Sequence, residues 1–516
     1  MNSFFRIKKI HGKEYKYEII PYYDKETKKV RQKSRYIGPV NNGKVVEKTV
    51  TTYSYGDLLP VMKVLKDINL PGMLKNVVGE YATTVLIMAI NRVIRPEAMN
   101  NLESWYDDSY LKVIYPANMN SSNLSKVMEA VGNMNPNHGF LKEILKYTGD
   151  SGAMYYDLTS FSSHSRNIEF LEYGYSRSDP DFPQVNISLI EDRKTGLPIF
   201  YDIYPGSVVD VSTVKNTVDV LKSAGVKNIT FIMDRGMFST ENIEYLILEH
   251  IDFIMPATYS LRAVKKIALQ ARRKIERGNN MIHLSGEIIF AEEHKLNIGN
   301  SEINTWVYYD PERDKRERSA FYLTLHGKIE HLRKRQLRRY EKPVYVVEEI
   351  MGGYLNFITW KYDRDSNTFT VRIKENAVSQ RVNRCGITII AFTGEYDPTD
   401  LLMQYRKRDS VEKLFLSWKS FLGAEPLRVH GLETLRGNLF VNIVSLAIRS
   451  AILNEMKKTD LANRYSIEKI LLELHKVRKV KLQNGKEIMT EITKRERDII
   501  EKFSIKSEHV PTFLTS

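Results

Sequence analysis

The chain has a single cysteine, Cys385, among 516 residues, which excludes internal disulfides and zinc sites built from cysteines. Long apolar runs are also missing: the longest, residues 82–90 and 439–448, are too short to span a bilayer. The N-terminal sequence MNSFFRIKKIHGKEYKYE lacks the apolar centre of a secretion signal. We therefore expect a protein of a reducing cytoplasm that does not interact with membranes.

Negative charge is in deficit, with 63 Asp and Glu against 77 Lys and Arg, a formal net charge of +14. Such an excess is typical of proteins that bind a polyanion, because each neutralised phosphate releases counterions. The alternative is a basic protein from a lysine-rich proteome, and charge alone does not separate the two. A hydrophobic fraction of 42% with 27% charged residues indicates a folded chain, and its length predicts several folding units.

The N-terminal part divides into two patterns. Residues 1–52 alternate apolar and polar side chains, which predicts a β-rich region. Residues 53–148 carry apolar side chains at helical spacing, interrupted by Pro71-Gly72, Pro96 and Pro116, which predicts a helical region.

Residues 149–260 alternate strands and helices. The apolar segment 153–161 predicts a buried strand, a hairpin follows, and the apolar segment 228–234 predicts another strand between two helices. The predicted order, β-β-β-α-β-α-β, is that of an RNase H-like core, a mixed sheet flanked by helices, so we expect an α/β fold class.

The remaining residues predict an interruption of that core. Residues 261–384 contain two basic stretches and several strand-like segments, which we interpret as a β-rich insertion domain with basic helices. Residues 385–450 return the chain to the core, beginning with the strand 386–392. Residues 451–516 are predicted to form a helical C-terminal region.

The segment YDPTDLLMQYRKRDSVEKLFLSWKSFLG predicts a helix that begins at Asp397 with Pro398 in its first turn. On this helix four polar side chains fall within an arc of about 60°, apart from the apolar face. They are Tyr405, Arg408, Glu412 and Lys419. Taken alone, this pattern also fits a solvated face with ordinary ion pairs one turn apart.

The same four residues reproduce the pattern Y-x2-R-x3-E-x6-K and resemble the signature of DDE-type insertion-sequence transposases. The resemblance is to the group called insertion-sequence family four, and to its offshoot with long, tyrosine-rich N-termini. It extends to YYDLTSF around Asp157, to residues 174–185 and 196–210, to FIMDRGMFS around Asp234, and to residues 427–448. Ser178-Asp179-Pro180 and Ser207 differ from the residues that are usual at these positions in the family.

The resemblance implies that Asp157, Asp234 and Glu412 are the catalytic residues and the ligands of two Mg²⁺ ions, with Mn²⁺ able to substitute. The residues themselves fit this chemistry. Asp157 lies within one apolar strand and Asp234 ends another, so each carboxylate has to be solvated, paired or metal-bound. Mg²⁺ prefers oxygen ligands, and two such ions suit an in-line phosphoryl transfer.

The resemblance also implies that Tyr405, Arg408 and Lys419 hold the DNA end, a role that suits phosphate donors and a stacking ring. Arg235 is a further candidate for DNA binding, although an ion pair explains it equally well. Asp409 is a candidate for supporting Glu412 from the same helix.

The function implied is cut-and-paste DNA transposition: binding to the terminal inverted repeats of an insertion sequence, cleavage at their ends, and joining to target DNA. We expect a homodimer or larger synaptic complex, end binding by residues 53–148 or the N-terminal region as a whole, and a nucleoid-associated protein of the prokaryotic cytoplasm. Two alternatives stay open. One is an RNase H-fold nuclease without strand transfer, and the other is a non-catalytic DNA-binding relic of a transposase.

Overall fold

The structure is a computed structural model that describes residues 3–10, 13–24, 29–41, 44–45, 50–149, 152–163, 165, 168–174, 182–208, 210–421, 429, 431–482 and 486–505. Most buried apolar side chains in these ranges belong to one hydrophobic core that extends from Tyr55 to Phe503. A smaller core forms separately within residues 321–382. The large core joins a central sheet to the helices around it.

Four antiparallel strands form a separate N-terminal sheet, in agreement with the alternation predicted for residues 1–52. They are β1 (Phe4–Ile10), β2 (Lys13–Asp24), β3 (Lys29–Asn41) and β4 (Lys44–Val45). Ile19 is buried in this sheet, whereas Phe5, Ile7 and Tyr36 are exposed. The sheet therefore presents many apolar side chains to solvent.

A helical unit follows, as the apolar spacing of residues 53–148 predicts. It comprises β5 (Val50–Ser54), α1 (Leu58–Asp67), α2 (Leu70–Val78), α3 (Ala82–Ile94), α4 (Met99–Asp108), α5 (Leu111–Ile114), α6 (Ser121–Met134) and α7 (Asn137–Thr148). Asn120 begins α6 by accepting a hydrogen bond from the Asn123 N–H at 2.8 Å, which satisfies a donor of the first turn. Helix α3 is apolar on most sides and lies in the core.

The next elements have the order β-β-β-α-β-α-β that the sequence predicts. They are β6 (Ala153–Ser162), β7 (Gln184–Asp192), β8 (Pro198–Pro205), α8 (Asp210–Ser223), β9 (Thr230–Met233), α9 (Thr240–Leu248) and β10 (Asp252–Pro256). β6, β7 and β8 pair antiparallel, whereas β6, β9 and β10 run parallel. The result is a mixed sheet.

The sheet grows further on the β10 side. The chain continues as α10 (Arg262–Arg272), β11 (Met281–Leu284), β12 (Glu287–Ile298), β13 (Ser301–Tyr309), α11 (Pro311–Lys334), α12 (Pro343–Met351), β14 (Ile358–Asp363), β15 (Thr368–Ile373), α13 (Glu375–Val382) and β16 (Ile387–Phe392). The central sheet has nine strands in the order β11-β12-β13-β16-β10-β9-β6-β7-β8. The strand predicted at residues 386–392 is therefore β16, between β13 and β10.

The strands of residues 261–384 divide between two places, which the sequence pattern does not reveal. β11, β12 and β13 extend the central sheet, whereas β14 and β15 form a hairpin apart from it. The separate core includes that hairpin but is built mainly on α11, α12 and α13. Alternation predicts that a segment is a strand, but pairing between distant strands decides to which sheet it belongs.

The predicted helix after Asp397 is two α-helices followed by a π-helical turn. α14 (Pro398–Arg406) and α15 (Asp409–Leu416) are separated at residues 407–408, and the π-helical turn is Ser417–Phe421. Asp397 caps α14 as expected, accepting a hydrogen bond from the Thr399 N–H at 2.8 Å. The break coincides with Arg408, which is buried against the central sheet. Its contacts with Asp157 and Asp234 are tertiary, so local propensity does not predict the break.

Helix α16 (Leu432–Lys457) crosses the core against α6. Gly132 and Gly437 permit this approach, because a Cβ at either position would lie within 2.0 Å of a backbone carbonyl oxygen of the other helix. By length and composition, Leu432–Lys457 and Leu70–Ile94 are both apolar enough to cross a membrane. In their most apolar windows 83% and 50% of the residues are buried within the protein, so both contribute to the core.

The C-terminal region is not entirely helical, which corrects the prediction for residues 451–516. It contains α17 (Leu461–Arg464), α18 (Ile467–Leu474), β17 (Arg478–Leu482), β18 (Glu487–Met489) and α19 (Lys494–Lys502). β17 pairs antiparallel with both β18 and β5, with Arg478 opposite Ser54. One edge of this short strand pairs with the nearby β18, and the other pairs with β5, a segment more than 400 residues away in sequence, which the local pattern does not reveal.

Candidate active site

Two parallel strands bring Asp157 and Asp234 together. Tyr156 of β6 lies opposite Met233 of β9, and the residue that follows each of them is an aspartate. Asp157 is buried, and its Oδ1 accepts a hydrogen bond from the Leu158 N–H at 2.8 Å. Asp234 follows the end of β9, and its side chain is 38% exposed. A buried and an accessible carboxylate therefore meet at one position of the sheet.

The guanidinium of Arg408 contacts both aspartates and Glu412. Its Nη1 lies 3.4 Å from Asp157 Oδ2, and its Nη2 lies 3.6 Å from Asp234 Oδ1. Nη2 also donates a hydrogen bond to Glu412 Oε1, one turn later on α15. The Arg408 side chain is 9% exposed, whereas Glu412 is 54% exposed. Three acidic side chains therefore converge on one buried cation.

The charges at this position depend on one another. Burial by itself lowers the pKa of the Arg408 guanidinium, but Asp157 and the other two carboxylates outweigh it and raise the pKa above its ordinary value. Tyr405 lies beside them, with its ring centroid 5.8 Å from Arg408 Cζ. Burial raises the pKa of the Tyr405 hydroxyl, so the ring is neutral at physiological pH.

Lys419 approaches the same sheet from the π-helical turn. Its Nζ donates a hydrogen bond to the Ser160 carbonyl at 2.6 Å and lies 5.1 Å from the ring centroid of Phe161. Trp418 is fully buried and packs on Phe161, with 5.2 Å between ring centroids. The π-helical turn therefore inserts Trp418 into the core while Lys419 lies over β6. Such turns are frequent at functional sites.

The carboxylates are directed at Arg408 rather than at a common point. Within the described ranges, no three His, Cys, Asp or Glu side chains stand close enough to form a ready metal site. Asp409 is turned away, with its Oδ2 2.6 Å from Lys413 Nζ. Arg235, predicted to contact DNA, is exposed immediately after Asp234. The fold thus gathers the predicted acidic residues and leaves Asp409 in a surface ion pair.

The sequence model of the family described as "Transposase DDE domain" matches residues 150–448. The chain belongs to this family. It is therefore a DDE transposase, a nucleotidyl-transferase type of enzyme that acts in DNA transposition, and enzymes of this family generally use divalent metal ions. The match includes Asp157, Asp234 and the whole Tyr405–Lys419 segment.

Two other comparisons add less. A search of curated proteins finds no match to the transposase. A solved structure, the cryo-EM structure of piggyBac transposase synaptic complex with hairpin DNA, is 11% identical to it, with a TM-score of 0.39. That alignment covers 89% of this chain and 87% of the other. The family assignment rests on the sequence model.

Parts of the proposed family resemblance lie outside the described residues. They are residues 175–181 of the block at 174–185, residue 209 of the block at 196–210, and residues 427, 428 and 430 of the block at 427–448. Another group of residues was missed by the sequence analysis: a set of arginines next to Arg235. Its members come from three segments that lie far apart in sequence, at residues 235, 313 and 381–384, so no local motif marks them.

Proposed function

We propose that this DDE transposase binds the terminal inverted repeats of an insertion sequence and carries out cut-and-paste transposition. Asp157, Asp234 and Glu412 are the proposed catalytic residues and ligands of two Mg²⁺ ions, for which Mn²⁺ substitutes. The observation that carries the proposal is the convergence of these three carboxylates on the buried guanidinium of Arg408. Three like charges gather at a partly buried position only where a cation offsets their repulsion.

The donor set fits a divalent metal. All three ligands are carboxylates, whose oxygens are the donors that Mg²⁺ and Mn²⁺ prefer. The Arg408 guanidinium places a single positive charge between Asp157, Asp234 and Glu412, whose three carboxylates could also hold a divalent cation. Glu412 is more than half exposed on a helix surface, so its side chain can turn from Arg408 toward the two aspartates. When bound, two such ions activate the attacking oxygen and stabilise the leaving oxygen of an in-line phosphoryl transfer.

The residues of the chain itself have distinct proposed tasks. In cleavage, water attacks the phosphate at the repeat end, the bond between phosphorus and the 3′ oxygen breaks, and the flanking strand keeps a 5′-phosphate. The freed 3′-hydroxyl then attacks a phosphate of target DNA and displaces the 3′ oxygen of the target strand. Arg408, released from the carboxylates, donates to a DNA phosphate together with Lys419. Arg235 contacts phosphate from the other side of Asp234, and the neutral Tyr405 ring stacks or hydrogen-bonds with the DNA end.

We also propose the finer classification. The four residues Tyr405, Arg408, Glu412 and Lys419 support membership of insertion-sequence family four and its tyrosine-rich offshoot. The element order of residues 153–256 supports an RNase H-like core. The separate hydrophobic core between β13 and β16 supports an inserted unit, for which residues 311–382 are the better bounds.

The partners and location follow from this function. DNA is the proposed partner, as terminal repeats and as target. Because two ends are handled together, we propose a homodimer or larger synaptic complex, with the N-terminal residues 1–148 reading the repeat sequence. We propose the prokaryotic cytoplasm, in association with the nucleoid, as its location.

A cleavage assay tests the proposal. The substrate is labelled duplex carrying the repeats that flank the transposase gene, with Mg²⁺ or EDTA. Wild type and Asp409→Asn are expected to nick at the repeat boundary in Mg²⁺ only. Glu412→Gln is expected to lose this activity by about a thousandfold or more while still binding the ends. Asp409 is the matched control because it lies on the same helix and pairs with Lys413.

Two results would contradict the proposal. Specific binding without cutting in any divalent metal would indicate a non-catalytic relic. Cutting of unrelated duplex at the same rate, with no need for paired ends, would indicate a nuclease without strand transfer.

A further inference from the structure

A cavity of about 360 Å³ lies beside the candidate active site and is lined mainly by arginines. We call it the arginine pocket. Its walls come from the end of β9, the segment after β10, the start of α11 and the segment around α13. The polar residues that line it are Arg235, Tyr259, Arg313, Glu317, Arg381 and Arg384. It therefore lies between the central sheet and the unit that carries the separate core.

Positive charge in the arginine pocket exceeds negative charge. Four guanidinium groups face a single carboxylate, Glu317. That carboxylate is already engaged, with Oε1 3.1 Å from Arg313 Nε and Oε2 accepting a hydrogen bond from the Gly386 N–H at 3.0 Å. Within the described part of the chain, no carboxylate stands within ion-pair distance of Arg235 or Arg384. These two cations are left for a ligand.

The walls of the pocket are held in place by contacts that do not neutralise the charge. The Tyr259 hydroxyl donates a hydrogen bond to the Ile387 carbonyl at 3.3 Å, and Arg384 Cζ lies 5.3 Å from the Tyr259 ring centroid. Arg313 Nη1 donates to Thr388 Oγ1 at 2.7 Å. Burial raises the pKa of Tyr259 to about 12, despite the opposing effect of Arg235 and the neighbouring guanidinium groups. The hydroxyl therefore stays neutral and adds no negative charge.

Arg235 connects the pocket to the candidate active site. It directly follows Asp234 in sequence, and its charge acts on both Tyr405 in the candidate site and Tyr259 in the pocket. A ligand in the pocket is therefore adjacent to whatever occupies the site of Asp157 and Asp234. Guanidinium groups are suited to such a ligand when it is a phosphate, because their planar N–H forks match its oxygens.

We propose that the arginine pocket binds one backbone phosphate of the DNA strand that is cleaved, a neighbour of the scissile phosphate. The inference rests on the proposed function, because it takes the ligand from the same DNA strand. Arg235 and Arg384 clamp this phosphate from two segments of the fold. The clamp fixes the register of the strand relative to Asp157 and Asp234, so both arginines are positioning residues.

The test uses the full chain in EDTA, so that binding is measured without cleavage. A set of duplexes carries the flanking repeats, each with one uncharged methylphosphonate linkage at a different position near the cleavage site. In wild type, one linkage close to the scissile phosphate is expected to weaken binding about tenfold. Arg384→Gln and Arg235→Gln are each expected to bind the unmodified duplex about tenfold more weakly than wild type does. In these variants the methylphosphonate linkage that weakens binding to wild type is expected to have no further effect.

A matched control comes from the same unit. Arg372 of β15 is exposed and does not line the arginine pocket, so Arg372→Gln removes the same charge and should keep the wild-type interference pattern. The salt dependence provides a second measure: the slope of log K against log salt should fall by about 0.9 in Arg384→Gln for one lost phosphate contact. Arg384→Lys, which retains the charge without the fork, should recover part of the affinity.

The inference is overturned if Arg384→Gln keeps the interference pattern of wild type, or if it weakens binding no more than Arg372→Gln does. It is also overturned if inorganic phosphate binds in the pocket but no single methylphosphonate linkage weakens DNA binding. The ligand of the pocket would then be a free anion. If Arg384→Gln fails to fold, Arg235→Gln decides between these outcomes. Failure of the proposed function is a different result: wild type would show no metal-dependent cleavage, whatever the interference pattern.

Discussion

Arg408 Nη1 lies 3.4 Å from Asp157 Oδ2, and the two side chains are only 9% and 7% exposed. The pair is the most buried part of a cluster that also contains Asp234 and Glu412. A buried carboxylate without a cation would be costly, so Arg408 stabilises the folded protein. A divalent metal bound by the same carboxylates would take over that task. Stability and metal binding are therefore expected to be coupled through Arg408.

Removal of this cation should make folding depend on metal. Arg408→Met leaves Asp157 buried without its partner, and we expect the free energy of unfolding in EDTA to fall by about 3–5 kcal/mol. Saturating Mg²⁺ or Mn²⁺ should restore much of this loss, because the metal binds the folded state only. Thermal unfolding in EDTA and in each metal measures both effects. The wild-type melting temperature should change less on metal addition. An equal metal effect in the two proteins would contradict the coupling.

Lys419 should contribute to DNA affinity more than to stability. We expect Lys419→Met to weaken binding of the repeat duplex about tenfold, and to reduce the salt slope by about 0.9 for one phosphate contact. Lys413→Met is the control, since Lys413 lies on α15 and pairs with Asp409 at the surface. Binding measured at several salt concentrations gives both quantities. If Lys419→Met binds normally but unfolds at a much lower temperature, Lys419 has a structural role through Ser160 and Phe161.

Replacing a glycine by alanine where α6 and α16 cross should destabilise the protein. In Gly437→Ala the new Cβ would lie 2.0 Å from the Met128 carbonyl oxygen, so the helices must separate. We expect a loss of about 1–3 kcal/mol in the free energy of unfolding. Gly327→Ala on α11 meets no atom within 4 Å and should stabilise the protein by about 0.5–1 kcal/mol through helix propensity. Denaturant unfolding measures the stability of both variants. Equal stability of Gly437→Ala and Gly327→Ala would refute the close packing of α6 against α16.

Glu191 should lower stability at high pH. Burial raises the pKa of this carboxyl from 4.5 to about 7, and its Oε2 has no hydrogen-bond partner among the described residues. Since the folded state favours the protonated form, the penalty grows as pH rises from the unfolded pKa to the folded one, and is complete above about pH 7. Glu191→Gln removes this penalty. We expect the free energy of unfolding to rise by about 3 kcal/mol at about pH 8 and to change little near pH 4.

The control for this pH dependence is Glu395→Gln, because Glu395 is exposed. Melting temperatures of wild type and of both variants are measured between about pH 4 and about pH 8. Only Glu191→Gln should differ from wild type by an amount that increases with pH. A constant difference at all pH values would mean that the substitution acts through packing and not through titration.

The order of elements in residues 153–256, with Asp157 within one strand and Asp234 at the end of another, was predictable, because alternation and apolar runs encode strands locally. The four polar residues of the Tyr405–Lys419 segment were also found, but as members of one regular helix. The break at residues 407–408 and the π-helical turn were not predicted, because the burial of Arg408 and Trp418 depends on β6 and its neighbours.

By itself, the sequence determined the kinds of elements, the acidic residues available for catalysis, and the pattern that the DDE family shares, since each depends on residues close together in the chain. Only the tertiary structure decided that β17 pairs with β5, and that one guanidinium holds three carboxylates together. It also decided that four arginines from distant segments line one cavity. Pairing and burial join groups far apart in sequence, so no local pattern of residues encodes them.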